Sequence, residues 1–311
     1  MITKNRQSDE TVTEMAKKAF PDKTVIRIRE LTEGMCNVTY HVVFDDGSES
    51  ILKIAAASGA GYTSNEINLM RAEVGAMRLV SGKCAFRVAG VQYYDCSRTV
   101  CSGDYFFMEK LPGENYALLK DKLPESVVRE LNREIGRISR ELTAVTNARF
   151  GFLGDEKRYD TLFEFVKTML TNLLSDARRK GVDTGCGEER LIGELDRDRE
   201  SFDEVRSASL VHWDMWEGNI FVCRNHVSGV IDWERALWGE PFMDDRFRKH
   251  NLNDDFLDGF GQRSFSVSER KRLRWYDVIL YLTMMIEVFY REYEDQGQYR
   301  WARDMLLTVL G

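Results

Sequence analysis

One stretch of the chain concentrates side chains able to take a proton and hold a divalent cation. It runs Leu210-Val211-His212-Trp213-Asp214-Met215-Trp216-Glu217-Gly218-Asn219-Ile220-Phe221-Val222, and Gly229-Val230-Ile231-Asp232-Trp233-Glu234 follows shortly after. Phosphoryl transfer from a nucleotide needs a carboxylate to receive the proton of the acceptor hydroxyl. It also needs oxygen ligands that fix Mg²⁺ against the phosphates. These groups can come as an Asp, an Asn on the same loop, and a second Asp at the end of a nearby hairpin. Asp214, Asn219 and Asp232 occupy those places in order, so Asp214 is the candidate base and Asn219 and Asp232 are the candidate metal ligands.

The elements that must position them are legible around them. The spacing of Asp214 and Asn219 can bring both side chains to one face of a loop. Ile220-Phe221-Val222 and Val227 to Ile231 read as short buried strands with Arg224-Asn225-His226 turning between them, a hairpin that carries Asp232 back beside Asn219. Upstream, Ile51-Leu52-Lys53-Ile54 places a lysine inside an apolar strand. A buried lysine is costly unless paired, and nucleotide phosphates and a helix glutamate are its expected partners. Gly34, in Glu33-Gly34-Met35-Cys36-Asn37, lies between two strands where exposed backbone N–H groups can cradle a phosphate. No Gly-x-Ser-x-Gly elbow or Gly-x-x-x-x-Gly-Lys-Ser/Thr loop occurs, which disfavours a serine hydrolase and a P-loop enzyme.

His212-x-Asp214-x-x-x-x-Asn219, Ile231-Asp232-Trp233-Glu234 and Gly239-Glu240-Pro241-Phe242-Met243-Asp244 together resemble the aminoglycoside phosphotransferase-like kinases, which include choline, fructosamine and homoserine kinases. The resemblance extends from about Leu31 to the C-terminal helices. The chain departs from the family pattern at Trp213, where Gly is usual, and at Leu142-Thr143, where Leu-His is common. The resemblance implies an α+β, bilobal protein-kinase-like fold: a small lobe of antiparallel sheet plus helix, and a larger helical lobe. It implies ATP or GTP as phosphoryl donor with Mg²⁺. Glu73 matches the position of the lysine's partner, with Glu66 the alternative on the same helix. Asn37 stands where the family's phosphate loop carries a polar residue. Phe107-Met108-Glu109-Lys110-Leu111 resembles the segment whose backbone meets adenine, through the Glu109 carbonyl and the Leu111 N–H. His212 and Asp244 are implied as supports of the catalytic loop.

Along the chain, residues 1–110 are expected to form the nucleotide-binding lobe and 111–311 the lobe that carries the catalytic loop and binds the acceptor. The first has an amphipathic helix ending before Pro21, strands Thr24–Leu31, Val38–Phe44 and Ser50–Ala55, a helix from Asn65 to Val80, and strands Val91–Tyr94 and Tyr105–Glu109. Lys110-Leu111-Pro112-Gly113-Glu114 is the predicted hinge. The second has predicted helices over Ser126–Thr143, Thr161–Lys180 and Glu188–Val205, and a long one from Val267 to Glu294 opened by a Ser266/Glu269 capping box. Aromatic residues of the last helix, Trp275, Tyr276, Tyr281, Phe289 and Tyr290, suit core packing more than a cage for a quaternary ammonium.

Charge points to the class of acceptor. Of the net −7, none arises in residues 1–110, which hold 14 Lys+Arg and 14 Asp+Glu, so 111–311 carry 30 basic and 37 acidic residues. An acidic second lobe suits a cationic small molecule such as an aminoglycoside, with Asp254, Asp255, Asp258 or Glu287 as candidate contacts, and it disfavours nucleic acid. No apolar run is long enough for a membrane span. The six cysteines show no zinc-type pairing; reduced thiols and a cytoplasmic location are expected, with no obligate protein partner. Two other small-molecule readings stand beside the aminoglycoside one: a choline or amino-alcohol kinase, and a fructosamine or sugar kinase. A nucleotide-binding regulatory pseudokinase is the alternative of another class. A protein kinase is disfavoured by the lack of Asp-Phe-Gly and Ala-Pro-Glu landmarks.

Overall fold

Alternating apolar and polar residues after Pro21 build an antiparallel sheet, and the computed structural model, which describes residues 4–32, 37–57 and 61–311, shows its assembly. Helix α1 (Asp9–Ala19) comes first. Ser8 accepts the Thr11 N–H at its start, Asp9 and Glu10 occupy the first turn, and Lys17 and Lys18 the last; each charge complements the helix dipole. Strands β1 (Val25–Leu31), β2 (Val38–Phe44) and β3 (Glu49–Ile54) follow, then helix α2 (Leu69–Ser81) and strands β4 (Val91–Asp95) and β5 (Tyr105–Met108). They form one sheet in the order β1-β2-β3-β5-β4. Gly47 closes the β2–β3 turn at φ 78°, where a Cβ would be strained.

The period of two along β3 decides what Lys53 can reach. Leu52 and Ile54 face α1 and pack with Val12, Met15, Tyr40 and Phe107. Ile51 and Lys53 face the other side, where α2 lies, and Ile51 joins the main core with Met70, Val74 and Met77.

The larger lobe comprises β6 (Glu114–Asn115), α3 (Tyr116–Leu119), α4 (Glu125–Leu142), β7 (Thr146–Asn147), β8 (Gly151–Phe152), α5 (Leu162–Lys180), α6 (Glu188–Arg197), β9 (Ala208–Val211), β10 (Ile220–Cys223), β11 (His226–Val230), β12 (Leu237–Gly239), α7 (Asp254–Phe260), α8 (Val267–Tyr290) and α9 (Gly297–Leu310). Strands β10 and β11 form the expected hairpin, joined by β6, and β9 lies between β7 and β12 in a second small sheet. Arg224 and Asn225 make the hairpin turn at φ 51° and 64°, and His226 already belongs to β11. The result is a two-lobed α+β fold, as expected.

Several boundaries differ from the sequence reading. Helix α2 starts at Leu69, not Asn65, because Asn68 adopts a left-handed conformation at φ 48°. The helix predicted to reach Val205 stops at Arg197 and gives way to a 3₁₀ turn, Arg199–Phe202. Helix α8 ends at Tyr290, although its capping box forms as predicted. Helices α7 and α9 are additional to the predicted elements. The first is too short to show a period, and the second has no side-chain cap at Gln296 and begins on a glycine. Trp275, Tyr276 and Tyr281 are core residues, at most 2% exposed.

Helix α1 is tied to the sheet by an ion pair as well as by apolar packing. Lys18 Nζ lies 2.5 Å from Asp95 Oδ2, and Tyr105 Oη donates to the same oxygen at 3.0 Å. Burial alone would raise the Asp95 pKa, but the hydrogen bonds from Lys18, Ser97 and Tyr105 outweigh it and hold the carboxyl well below the usual range. Such a group stabilises the fold above its unfolded pKa, and the contribution is lost as pH falls through the lower folded value. Asp95→Asn should therefore cost roughly 1–2 kcal/mol at neutral pH. In urea titrations the gap to the parent should narrow as pH drops below about 4, the unfolded carboxylate value. A gap that stays constant down to about pH 2, well below that value, would contradict this account.

Candidate active site

Lys53 is the point where three elements meet. Its ammonium donates to Glu73 Oε2 of α2 at 2.7 Å and to Asp232 Oδ1, just past β11, at 2.6 Å. Glu234 Oε2 lies 3.6 Å away. Burial opposes the lysine's charge, but Asp232, Glu73 and Glu234 together hold its pKa well above the usual lysine range. Three carboxylates thus surround one ammonium. Burial in turn pushes Glu73 and Glu234 above the usual carboxylate range, against the pull of Lys53. Oxygens of Glu73, Asp232 and Glu234 all lie within 4.8 Å of one another. An oxygen-only donor set with uncompensated negative charge fits a hard divalent cation such as Mg²⁺.

The loop between β9 and β10 holds Asp214. His212 is fully buried, and burial pushes its pKa down to about 4, so the ring is neutral near pH 7. Its Nδ1 accepts the Asp214 N–H at 3.2 Å and its Nε2 lies 2.9 Å from the Ile231 carbonyl. A neutral imidazole accepting at one nitrogen must donate at the other, so the ring ties the Asp214 loop to the residue before Asp232. Asn219 Nδ2 donates to the Asp214 carbonyl at 2.8 Å and approaches its Oδ2 at 3.2 Å. That leaves the Asn219 amide oxygen available to a cation. Asp244 Oδ2 accepts the Trp213 N–H at 3.0 Å, the bracing position implied for it.

Trp213 has φ 74°, in the left-handed region that favours glycine. The departure at this position therefore carries backbone strain. The Arg235 guanidinium lies over the indole, 5.3 Å from its centroid, and the ring is 8% exposed. Burial and the cation–π contact offset the strain. Asp232 also sits at positive φ, 65°, which turns its carboxylate back from the hairpin toward Lys53.

The structure brings together Lys53, Glu73 and Asp232 as one group, and Asp214 with Asn219 as a second, linked by the His212–Ile231 contact. Glu73, not Glu66, meets Lys53. Glu66 instead pairs with Arg235 at 3.1 Å and with Arg291. Asn37 Nδ2 donates to Glu234 Oε2 at 2.5 Å, so Asn37 touches the same cluster. Gly34 lies outside the described residues. Glu109 is exposed and its carboxylate meets Arg87 at 3.3 Å. The Leu111 side chain is buried against β11, where a Cβ on Gly229 would fall 2.7 Å from it. Sequence reasoning gives no role to Glu234 or Arg235, although both follow directly on Ile231-Asp232-Trp233. A charged pair ending a buried hairpin is the available signal.

Three solved structures share the fold over nearly their whole length. One is a protein of Haemophilus somnus 129PT assigned as a fructosamine-3-kinase, at 12% identity, covering 97% of each chain with a TM-score of 0.71. A thermostable mutant of the aminoglycoside phosphotransferase APH(4)-Ia, in complex with ADP and hygromycin B, matches at 16% identity over 96% of this chain and 98% of that one, TM-score 0.69. The streptomycin–ATP complex of APH(2″)-IIa matches at 17% identity over 97% of both chains, TM-score 0.60. At these identities the likeness is one of fold. No curated protein matches the sequence. The model of the phosphotransferase enzyme family matches residues 27–244, more than half the chain and all of the site residues. The chain belongs to the phosphotransferase enzyme family.

The strain at Trp213 is separable from its packing. Ala ordinarily stabilises a backbone relative to Gly, but at positive φ the order reverses by roughly 1 kcal/mol or more. Trp213→Gly should therefore unfold at higher denaturant than Trp213→Ala, with both below the parent because each loses the buried indole. The opposite order would show that the loop relaxes to negative φ.

Proposed function

We propose that the protein transfers the γ-phosphoryl group of ATP to a hydroxyl of a small cationic molecule. The observation that carries this reading is the joint placement of Asp214 with Asn219 on one loop and of Asp232, at the end of the hairpin, with Lys53 of β3, each pair in hydrogen-bond contact. In the proposed reaction Asp214 receives the proton as the hydroxyl oxygen attacks the γ-phosphorus and ADP departs. Asn219 orients the Asp214 carboxylate. Lys53, positioned by Glu73, binds phosphate oxygens, and Gly34 and Asn37 are the proposed phosphate-loop residues. The Glu109 carbonyl and Leu111 N–H are the proposed adenine contacts. Asn219 and Asp232 would hold Mg²⁺, which when bound neutralises charge on the β- and γ-phosphates. The proposed boundary between nucleotide-binding and acceptor-binding parts falls between residues 110 and 111.

The ADP and ATP complexes of APH(4)-Ia and APH(2″)-IIa support an adenine nucleotide as donor. Among acceptors, the acidic balance of 111–311 favours a cation, and the hygromycin B and streptomycin bound by those two proteins are in keeping with it. The pseudokinase alternative keeps nucleotide binding but has no use for Asp214.

Two substitutions test the assignment. Asp214→Ala should bind ATP with nearly unchanged affinity while kcat falls by roughly 10²-fold or more; full turnover would remove Asp214 from the mechanism. Asp232→Ala should abolish the tightening of ATP binding by Mg²⁺ in calorimetry, because Asp232 would hold the ion. An unchanged Mg²⁺ dependence would exclude Asp232 as a ligand.

A further inference from the structure

Residues 4–7 precede α1 and carry no motif, yet they run across one end of the small-lobe sheet. The cross-strand pairs Leu31–Thr39, Val38–Ile54 and Ile54–Tyr105 set the end of β1, the start of β2, the end of β3 and the start of β5 side by side. Lys53 directly precedes Ile54, and Asn37 directly precedes Val38. Both proposed phosphate-site residues therefore stand at this end of the sheet.

The four residues reach three strands and the loop before a fourth. Lys4 Nζ donates to the Asn37 carbonyl at 2.8 Å. Asn5 Nδ2 donates to the carbonyl of Ala55, two residues past Lys53, at 3.1 Å. Arg6 pairs with Glu30 of β1 at 2.9 Å. The Gln7 N–H donates to the Tyr40 hydroxyl of β2 at 2.9 Å, and that hydroxyl donates to the Gln7 carbonyl at 3.1 Å. Gln7 also orients the Asn5 amide: its Nε2 donates to Asn5 Oδ1 at 2.8 Å, which leaves Asn5 Nδ2 to face Ala55. Gly103, just before β5, makes room for this contact. A Cβ there would fall 2.5 Å from the Ala55 carbonyl oxygen and 2.9 Å from Asn5 Nδ2. Tyr40 is buried and Lys4, Asn5 and Gln7 are half-buried, so these hydrogen bonds are partly sheltered from competing water.

Asn37 is thus held at both of its polar ends, its carbonyl by Lys4 and its side-chain amide by Glu234. We propose that residues 4–7 are a positioning arm for the nucleotide. Lys4 fixes Asn37 and Asn5 fixes the end of β3, so that Asn37 and Lys53 keep one spacing at the carboxylate cluster. The proposal rests on the phosphotransferase reading and adds Lys4 and Asn5 to its nucleotide site as positioning residues. The physical gain is preorganisation: groups already held in place cost less to order when the phosphates arrive. None of these contacts involves Glu109 or Leu111, the proposed adenine contacts. The arm therefore acts on phosphate binding and leaves the base alone.

Calorimetry on the full chain tests this with two probes, ATP in the presence of Mg²⁺ and adenosine, which offers the same base without phosphates. Lys4→Ala should raise the ATP Kd about fivefold, the worth of one hydrogen bond, with the adenosine Kd within about twofold of the parent. Lys4→Arg keeps a cationic donor and should restore most of the ATP affinity. Asn5→Ala changes no charge and should still weaken ATP binding about threefold, again without effect on adenosine. Three results would each overturn the proposal: an unchanged ATP Kd in Lys4→Ala, equal weakening of ATP and adenosine, or a loss in Lys4→Ala with none in Asn5→Ala. The second would mark a general loosening of the lobe, and the third a bare effect of charge. In all three cases a parent chain that binds ATP with Mg²⁺ leaves the phosphotransferase reading in place. A parent chain that binds no ATP removes both.

Discussion

Everything in the site depends on the cost of burying the Lys53 ammonium. An unpaired charge inside a protein is not tolerated, and removing one partner of a buried pair typically costs about 3–5 kcal/mol. Lys53 is 7% exposed, so α2 must come close enough to deliver Glu73 and the hairpin must end where Asp232 can reach. One electrostatic requirement therefore fixes β3, α2 and β11 relative to one another. Carboxylates outnumber cations at the same point.

A second buried ion cluster lies behind the first. Arg235 pairs with Glu66 and Glu287, and Arg291 pairs with the same two acids. Glu66 precedes α2, Arg235 follows Asp232 by three residues, and Glu287 and Arg291 stand on or just past α8. All four are largely buried, and the two charges of each sign are balanced. Gln298 of α9 also donates to Glu287 at 2.7 Å. Arg235 touches Trp213 as well, so the strained residue beside Asp214 is coupled to the helix that carries the Lys53 partner and to the two C-terminal helices. Loss of any one member would leave a buried charge unbalanced.

The Asp214 loop shows how strain is accommodated. A tryptophan at positive φ is held between the Asp244 carboxylate at its backbone and the Arg235 guanidinium at its ring. The neutral His212 ring, donating to Ile231 and accepting from Asp214, fixes the distance between the loop and the β10–β11 hairpin. Such supports are common where a conformation must be over-determined to serve chemistry.

The local elements were legible because their signals are local. The β2–β3 and β10–β11 hairpins, the capping box of α8 and the apolar spacing of α4 and α5 each follow from residues close in sequence. The order of Asp214, Asn219 and Asp232 was likewise enough to point to the phosphotransferase family to which the chain belongs. What the sequence left open was every choice between alternatives that only distance can separate. Glu66 and Glu73 are both glutamates near α2, yet one turns to Lys53 and the other to Arg235 and Arg291. Asp255, Asp258 and Glu287 all looked available to a cationic acceptor, but Arg133 of α4 meets Asp255, Arg263 just past α7 meets Asp258, and Arg235 meets Glu287. Lys4 and Asn37 are far apart in the chain, and α9 announced itself by no cap. Composition and motif determined which charges the chain carries. Tertiary structure decided which of them neutralise each other, because pairing depends on separations of a few ångströms between segments that the sequence does not relate.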